Sequence, residues 1–142
     1  MPAASLPAGN GSEPPVIELR GIHKSYGALE VIKGVDLVAR RGDVTALIGS
    51  SGSGKSTLLR CINLLEVPQQ GDIIFRGEPV SWSGAGEGRK PADQGQVRRI
   101  RTNLSMVFQQ FNLWSHMTVL DNVIEAPVTV LKRDRAEAAD FG

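Results

Sequence analysis

Residues 49–57 combine glycine, serine, lysine and threonine at a spacing suited to binding phosphate. Gly49, Gly54, Lys55 and Ser56 occupy the required positions of the pattern G-x-x-x-x-G-K-[ST]. Glycines let the backbone turn tightly, so that successive N–H groups face an anionic phosphate. The lysine supplies a mobile positive charge for the β- and γ-phosphates, and the serine hydroxyl can ligate Mg²⁺. The pattern therefore predicts a nucleotide phosphate site.

The segments on either side of this loop must hold it in place. Residues 44–48 are mostly apolar and predict a buried strand, whereas residues 57–65 predict a helix whose buried face includes Leu58 and Leu65. The helix is expected to begin near Lys55, which aims its N-terminal partial positive charge at the same phosphates. A flexible Gly/Ser linker that matches by chance is the alternative, and the strand–loop–helix context argues against it.

Other segments show the alternation or composition of further elements. Residues 16–22 and 31–40 alternate apolar and polar side chains and predict two strands, and residues 72–76 predict a third. Residues 81–96 are too rich in glycine for regular structure and predict a loop. A short basic helix is expected at 97–101. Its basic residues are interpreted as a face exposed to solvent rather than as an anion site.

The last part of the chain predicts a strand, a loop and a helix. Residues 104–108 are interpreted as a buried strand that ends in a polar and aromatic loop at 109–117. Thr118 is a candidate helix N-cap with Asp121 at the capping-box position. Pro127 is expected to bend or end the helix that follows, because proline removes a backbone donor.

Composition and charge indicate the broad class of the protein. The chain has 142 residues, 41% of them hydrophobic and 22% charged, with a formal net charge of +1. This balance is typical of a soluble domain and gives no reason to invoke nucleic acid or an anionic membrane surface. Cys61 is the single cysteine and is interpreted as a small core residue. Residues 1–15 predict a disordered tail without the features of a signal peptide.

Tyr26 is the only tyrosine, and its role is open at this point. Aromatic side chains are mostly used for packing, so an ordinary half-buried ring is favoured over a platform for a flat ligand.

The order of three features resembles the front part of an ATP-binding-cassette ATPase: Tyr26, the loop at 49–57, and the stretch MVFQQFNL at 106–113. Residues 60–66 and 111–120 more narrowly resemble the ATPase subunits of importers for polar or basic amino acids, such as histidine, arginine, ornithine or octopine.

This resemblance implies an α/β fold, namely a P-loop NTPase-like core with an antiparallel β subdomain, truncated at its C-terminal side. Residues 16–142 would form a partial ATP-binding domain.

The resemblance also implies ATP and Mg²⁺ as cofactors. Tyr26 matches the aromatic that stacks on adenine, which reverses its interpretation from composition. Ser56 and Gln109 match the residues that contact Mg²⁺. Every position of the phosphate loop is implied to contact ATP: Gly49, Ser50, Ser51, Gly52, Ser53, Gly54, Lys55, Ser56 and Thr57.

The implied partners are integral membrane permease subunits, docked through the 109–117 loop at the cytoplasmic face of a bacterial inner membrane. A homodimer is expected for the full-length relative, an amino-acid receptor in the periplasm would act indirectly, and no nucleic acid is involved. The family's Leu-Ser-Gly-Gly-Gln signature, Walker B strand and switch histidine have no match here. No catalytic residue is therefore assigned, and hydrolysis by this chain is expected to be lost or nearly so.

Two alternatives stay open beside a truncated importer ATPase. One is a remnant that binds nucleotide or permease without hydrolysis. The other is a soluble cassette ATPase acting on nucleic acid or the ribosome, against which the near-neutral charge and residues 111–128 both count.

Overall fold

A computed structural model describes residues 14–110 and 112–141, without the side chain of Phe141. The chain divides into two compact units, Met1–Met106 and Val107–Gly142, and each is described by itself. Residues 1–13 of the tail predicted at 1–15 lie outside the described residues, and the two prolines at 14 and 15 have no regular structure.

The first unit is built on a four-stranded antiparallel sheet in the order β2-β1-β3-β4. Its strands are β1 (Ile17–Tyr26), β2 (Leu29–Ala39), β3 (Gln70–Phe75) and β4 (Glu78–Pro79). The strands predicted at 16–22, 31–40 and 72–76 are confirmed, although β1 continues to Tyr26 and β3 spans Gln70–Phe75.

A bulge in β1 decides which of its side chains are buried. Against β2, β1 has one extra residue between Leu19 and Ile22, and against β3 it has one extra residue between Arg20 and His23. Ile17 and Leu19 are buried before the bulge, and Ile22 and Lys24 are buried after it. The bulge therefore places a lysine on the face of the sheet that covers the core.

Two helices accompany the sheet, α1 (Lys55–Ile62) and α2 (Gln94–Asn103), and both contribute to one hydrophobic core with β1, β2 and β3. The core residues are Ile17, Leu19, Ile22, Ile32, Leu58, Cys61, Leu64, Ile73, Phe75, Val80, Val97 and Ile100.

The helix predicted at 57–65 ends earlier than its apolar spacing indicates. α1 stops at Ile62, and Leu64 takes a left-handed conformation with φ 62°. The reversal buries Leu64 and leaves Leu65 exposed, so Leu65 is not on the buried face. Arg101 of α2 donates to the carbonyl oxygens of Asn63 and Leu64 at 3.3 and 2.7 Å. A side chain from the second helix thus satisfies carbonyls at the end of the first.

The loop predicted at 81–96 contains short regular elements. β5 (Trp82–Ser83) pairs with β6 (Lys90–Pro91), a 3-10 turn spans Gly86–Gly88, and α2 already begins at Gln94. Arg89 stabilises this segment. Its guanidinium lies 4.2 Å from the centre of the Trp82 ring and donates to the Gly71 carbonyl at 2.7 Å.

The buried strands predicted at 44–48 and 104–108 are wrong. No strand is assigned to either segment, and the side chains of Val44, Ile48 and Val107 are 98%, 92% and 95% exposed. Apolar residues favour burial, but a strand also needs neighbours for its backbone donors and acceptors. Within the part of the chain that the structure describes, no strand pairs with these segments.

The second unit contains α3 (Val119–Thr129) and α4 (Arg135–Phe141). The predicted cap is confirmed, because the Thr118 hydroxyl accepts from the Asp121 amide at 3.1 Å and donates to the Asp121 carboxylate at 2.7 Å. Pro127 lies inside α3, which ends two residues later at Thr129. Arg135 of α4 forms an ion pair with Asp121, which joins the two helices.

Replacing Gly71 with alanine is expected to lower the free energy of unfolding by at least about 3 kcal/mol, because a clash adds to backbone strain. A Cβ atom there would lie 2.3 Å from the Gly21 carbonyl oxygen, and φ of Gly71 is +90°. Urea unfolding followed by circular dichroism measures the change. Gly42→Ala is the matched control, since φ is +83° with no atom within 4 Å of its added Cβ, and only about 1 kcal/mol of strain is expected. Equal losses in the two variants would contradict the clash.

Candidate nucleotide-binding site

The predicted phosphate loop is an exposed turn that leads directly into α1. Gly52 and Gly54 have φ of +77° and +89°, which residues with a Cβ rarely adopt. Gly54 is the N-cap residue of α1, and its carbonyl accepts the first helical hydrogen bond from the Leu58 amide at 2.8 Å. The prediction that the helix begins near Lys55 is confirmed.

Two glycines of the pattern, Gly49 and Gly54, lie where an added Cβ would come close to other atoms. A Cβ at Gly54 would lie 3.0 Å from both the Val31 carbonyl oxygen and its Cγ1 atom, so this glycine lets the loop rest directly on β2. A Cβ at Gly49 would lie 2.7 Å from the Ser53 hydroxyl oxygen on the other side of the loop. Gly54, which also has a positive φ, therefore disfavours a side chain, whereas the atom nearest Gly49 is the end of a rotatable serine side chain.

Lys55 lies folded back onto its own loop. Its ammonium donates to the carbonyl oxygens of Gly49 and Ser50 at 2.9 and 2.7 Å and to the Ser53 hydroxyl at 3.2 Å. The first turn of α1 contains no acidic residue, so no carboxylate there offsets the partial positive charge of the helix N-terminus. Charge and donors together suit an anion, and a phosphate oxygen can replace the loop oxygens as partner of the ammonium.

The residues present fit Mg²⁺ bound together with phosphate. Ser56 is exposed in the first turn of α1, and its hydroxyl is the hard oxygen ligand that Mg²⁺ accepts. Among the described residues, no three His, Cys, Asp or Glu side chains come together as a metal site. Hydroxyl oxygens, phosphate oxygens and water are all ligands that Mg²⁺ accepts.

Tyr26 ends β1 in the same unit as the phosphate loop, and its side chain is 45% exposed. The loop and this strand are connected through β2. Gly54 rests on Val31, and the next residue, Ile32, pairs with Lys24 in β1. The structure thus brings Tyr26 to the strand pair that supports the loop, and it leaves part of the ring available for a ligand.

Gln109 lies in the second unit, exposed in a bend. Its role as a ligand of Mg²⁺ stays a prediction. The 109–117 loop belongs to the same unit, and Phe111 lies outside the described residues. Leu113 and Trp114 of this loop have exposed side chains.

Asn122 holds this loop and was not predicted. Its amide oxygen accepts from the Trp114 backbone N–H at 2.8 Å. Its amide nitrogen donates to the carbonyl oxygens of Trp114 and Thr118 at 3.2 and 2.9 Å. The sequence offered one indication of this role: Asn122 lies in the first turns of a helix, soon after a capping threonine. Short amide side chains at such positions often bind nearby backbone.

The sequence pattern of ABC transporters matches residues 32–141. The chain belongs to the ABC transporter family. It is 56% identical over 125 residues to the arginine/ornithine transport ATP-binding protein AotP of Pseudomonas aeruginosa, covering 87% of this chain and 49% of AotP. It is 56% identical over 120 residues to the histidine/lysine/arginine/ornithine transport ATP-binding protein HisP of Escherichia coli, covering 84% of this chain and 47% of HisP.

The octopine permease ATP-binding protein P of Rhizobium radiobacter is 52% identical over 127 residues, which cover 89% of this chain and 48% of that protein. These identities confirm the resemblance to the ATP-binding subunits of polar amino-acid importers. The chain spans about half the length of the curated relatives it matches.

A solved structure agrees with the expected fold. CbiO1 from Clostridium perfringens, part of the ABC transporter complex cbiONQ, matches with a TM-score of 0.70 and 25% identity over 90% of this chain and 47% of that chain. The predicted α/β fold class is confirmed, although the strands at 44–48 and 104–108 are not formed here. Within residues 14–110 and 112–141, no helix has both the length and the apolar character needed to cross a membrane.

Cys61 of α1 is expected to react slowly with thiol reagents in the folded chain. It is fully buried, and burial raises the pKa of its thiol from 9.0 to about 11, so the reactive thiolate is scarcer by about a hundredfold. Labelling with a disulfide reagent at about pH 8 measures the rate, and the same chain unfolded in guanidinium is the control. Comparable rates in the two states would show that the side chain is not buried.

Proposed function

We propose that this chain is the ATP-binding part of a subunit that drives the uptake of polar or basic amino acids. The observation that carries the proposal is the geometry of Lys55, whose ammonium is held by loop oxygens beside the N-terminus of α1. The names of AotP, HisP and the octopine permease protein, all ATP-binding proteins of transport systems or permeases, support the same role.

Residues 49–57 together form the phosphate cradle in this proposal. Backbone N–H groups from Gly52 to Ser56 bind phosphate oxygens, and Lys55 exchanges its loop oxygens for the β- and γ-phosphates. Thr57 lies near the α-phosphate, and Tyr26 stacks on the adenine. Ser56 would hold Mg²⁺ beside the phosphates, and Gln109 is a candidate ligand by resemblance to the family. The metal would supply positive charge that offsets the charge on the phosphate oxygens.

The 109–117 loop is the proposed contact with integral membrane permease subunits. Leu113 and Trp114 expose apolar surface, while Asn122 fixes the backbone behind them. A fixed backbone that presents an exposed aromatic is suited to anchoring a partner. This contact would place the protein at the cytoplasmic face of the membrane, with a homodimer in the full-length relative and the periplasmic receptor reached through the permease.

The second candidate is nucleotide or permease binding without hydrolysis. The contacts of Lys55 with the loop oxygens account for nucleotide binding, which is all that this candidate requires. Turnover in this reaction class needs a base or a residue that positions water as well as a phosphate cradle. The two candidates share the binding site and differ only in the chemical step.

Replacing Lys55 with methionine should weaken the binding of Mg-ATP by about 10- to 100-fold, because hydrogen bonds to charged groups contribute about 1.5–3 kcal/mol each. Isothermal titration of the purified chain measures the dissociation constant. Lys33→Met makes the same chemical change at an exposed position of β2 and is expected to leave binding unchanged. Equal affinity of Lys55→Met and the original chain would refute the proposed site.

Release of inorganic phosphate separates the two candidates. The rate from the 142-residue chain with Mg-ATP is expected to equal that of its Lys55→Met variant, since the sequence offers no match to the family's catalytic segments. A coupled phosphate assay at saturating ATP makes the comparison. Release well above the variant's rate would instead favour hydrolysis by this chain alone.

A further inference from the structure

Lys24 is a buried charge in β1, close to Tyr26. Its residue is only 9% exposed, which is rare for lysine unless the charge is paired. The ammonium lies 3.1 Å from a Glu66 carboxylate oxygen and donates to the Val67 carbonyl at 2.9 Å. It also lies 5.0 Å from the centre of the Tyr26 ring, within reach of a cation–π contact. One side chain therefore connects the Tyr26 ring to the segment that follows α1.

Gln69 makes a second connection to the same part of β1. Its side-chain oxygen accepts from the Ser25 backbone N–H at 3.0 Å, and its side-chain nitrogen donates to the Ser25 carbonyl at 2.9 Å. Its backbone N–H donates to the His23 carbonyl at 2.9 Å. The amide side chain thus pairs with Ser25 as a neighbouring strand would, and it fixes the backbone immediately before Tyr26.

Glu66, Val67 and Gln69 form what we call the 66–69 clamp. The clamp is attached to α1, because the Glu66 amide donates to the Arg60 carbonyl at 3.0 Å. α1 therefore carries the phosphate loop at its N-terminus and the clamp on Tyr26 beyond its C-terminus. Because the bulge in β1 turns Lys24 toward the core, the lysine can reach the clamp.

We propose that Lys24, together with the 66–69 clamp, positions the Tyr26 ring for stacking on the base and so sets the preference for ATP over a bare polyphosphate. This inference rests on the proposed nucleotide site at 49–57. A ring that is held before the ligand arrives loses less side-chain freedom on binding. Tyr26 is nevertheless 45% exposed as a residue, which leaves surface on which a flat base can stack.

The test compares two ligands, ATP and inorganic tripolyphosphate, each with Mg²⁺, by isothermal titration of the full chain. Lys24→Met is expected to weaken ATP binding by about three- to tenfold and to leave the affinity for tripolyphosphate unchanged. This decrease is part of the affinity that complete loss of base stacking would remove. Tyr26→Ala removes the ring and so measures the whole contribution of stacking to ATP affinity. Lys33→Met, the exposed lysine on β2, is the matched control and should change neither affinity.

Gln69→Leu is the second variant, since it removes both side-chain bonds to Ser25 without changing any charge. It is expected to lower the ratio of ATP to tripolyphosphate affinity in the same direction as Lys24→Met. If Lys24→Met does not fold, it loses tripolyphosphate binding too, and the ratio measured for Gln69→Leu then decides.

The outcomes separate this inference from the proposed function. If Lys55→Met weakens both ligands while Lys24→Met and Gln69→Leu leave their ratio unchanged, the positioning role is wrong and the nucleotide site stands. If Lys55→Met changes neither affinity, the nucleotide site is wrong and the positioning role falls with it.

Discussion

The close approach of β3 to a bulge in β1 is the constraint on which the first unit depends. An alanine Cβ at Gly71 would lie 2.5 Å from the Arg20 carbonyl oxygen and 2.3 Å from that of Gly21. Only glycine lets the two backbones meet there, and the Gly71 carbonyl then accepts from Arg89, which orders the short β5–β6 hairpin. The bulge also reverses the alternation of β1, so Ile22 and Lys24 join the buried face.

α1 packs on this sheet and thereby positions the phosphate loop at its N-terminus. Leu58 and Cys61 fix the helix in the core, and Gly54 lets its N-terminus rest on β2. At the other end, Arg101 binds the carbonyls that follow the last turn, and the Glu66 carboxylate pairs with Lys24. A rigid helix held at both ends is a suitable base for an exposed loop, because a binding loop must keep its donors aimed without losing access to solvent.

Sequence predicted the features that are set locally. The glycine spacing of the loop, the start of α1, the alternating strands of the sheet and the Thr118 cap each depend on a few neighbouring residues. The features that depend on distant partners were not predictable in this way. Residues 44–48 have the apolar composition of a strand but no paired neighbour among the described residues, and Leu64 replaced Leu65 in the core through a backbone reversal. Lys24 binds Val67, 43 residues further along the chain, and sequence spacing does not connect the two.

The segment before the phosphate loop is largely exposed, although Leu47 packs partly buried against the hydrophobic core. Val44 and Ile48 are almost fully exposed, whereas Gly54, Lys55 and Leu58 lie against β2 or within the start of α1. The closed geometry of the loop is therefore maintained from the helix side, by Gly54 on Val31 and by the ammonium of Lys55 on the loop carbonyls. Helix N-termini and backbone donors suit anions in general, and both lie on the helix side of the loop. Among the described residues, β2 and α1 thus provide the contacts that support the proposed phosphate loop.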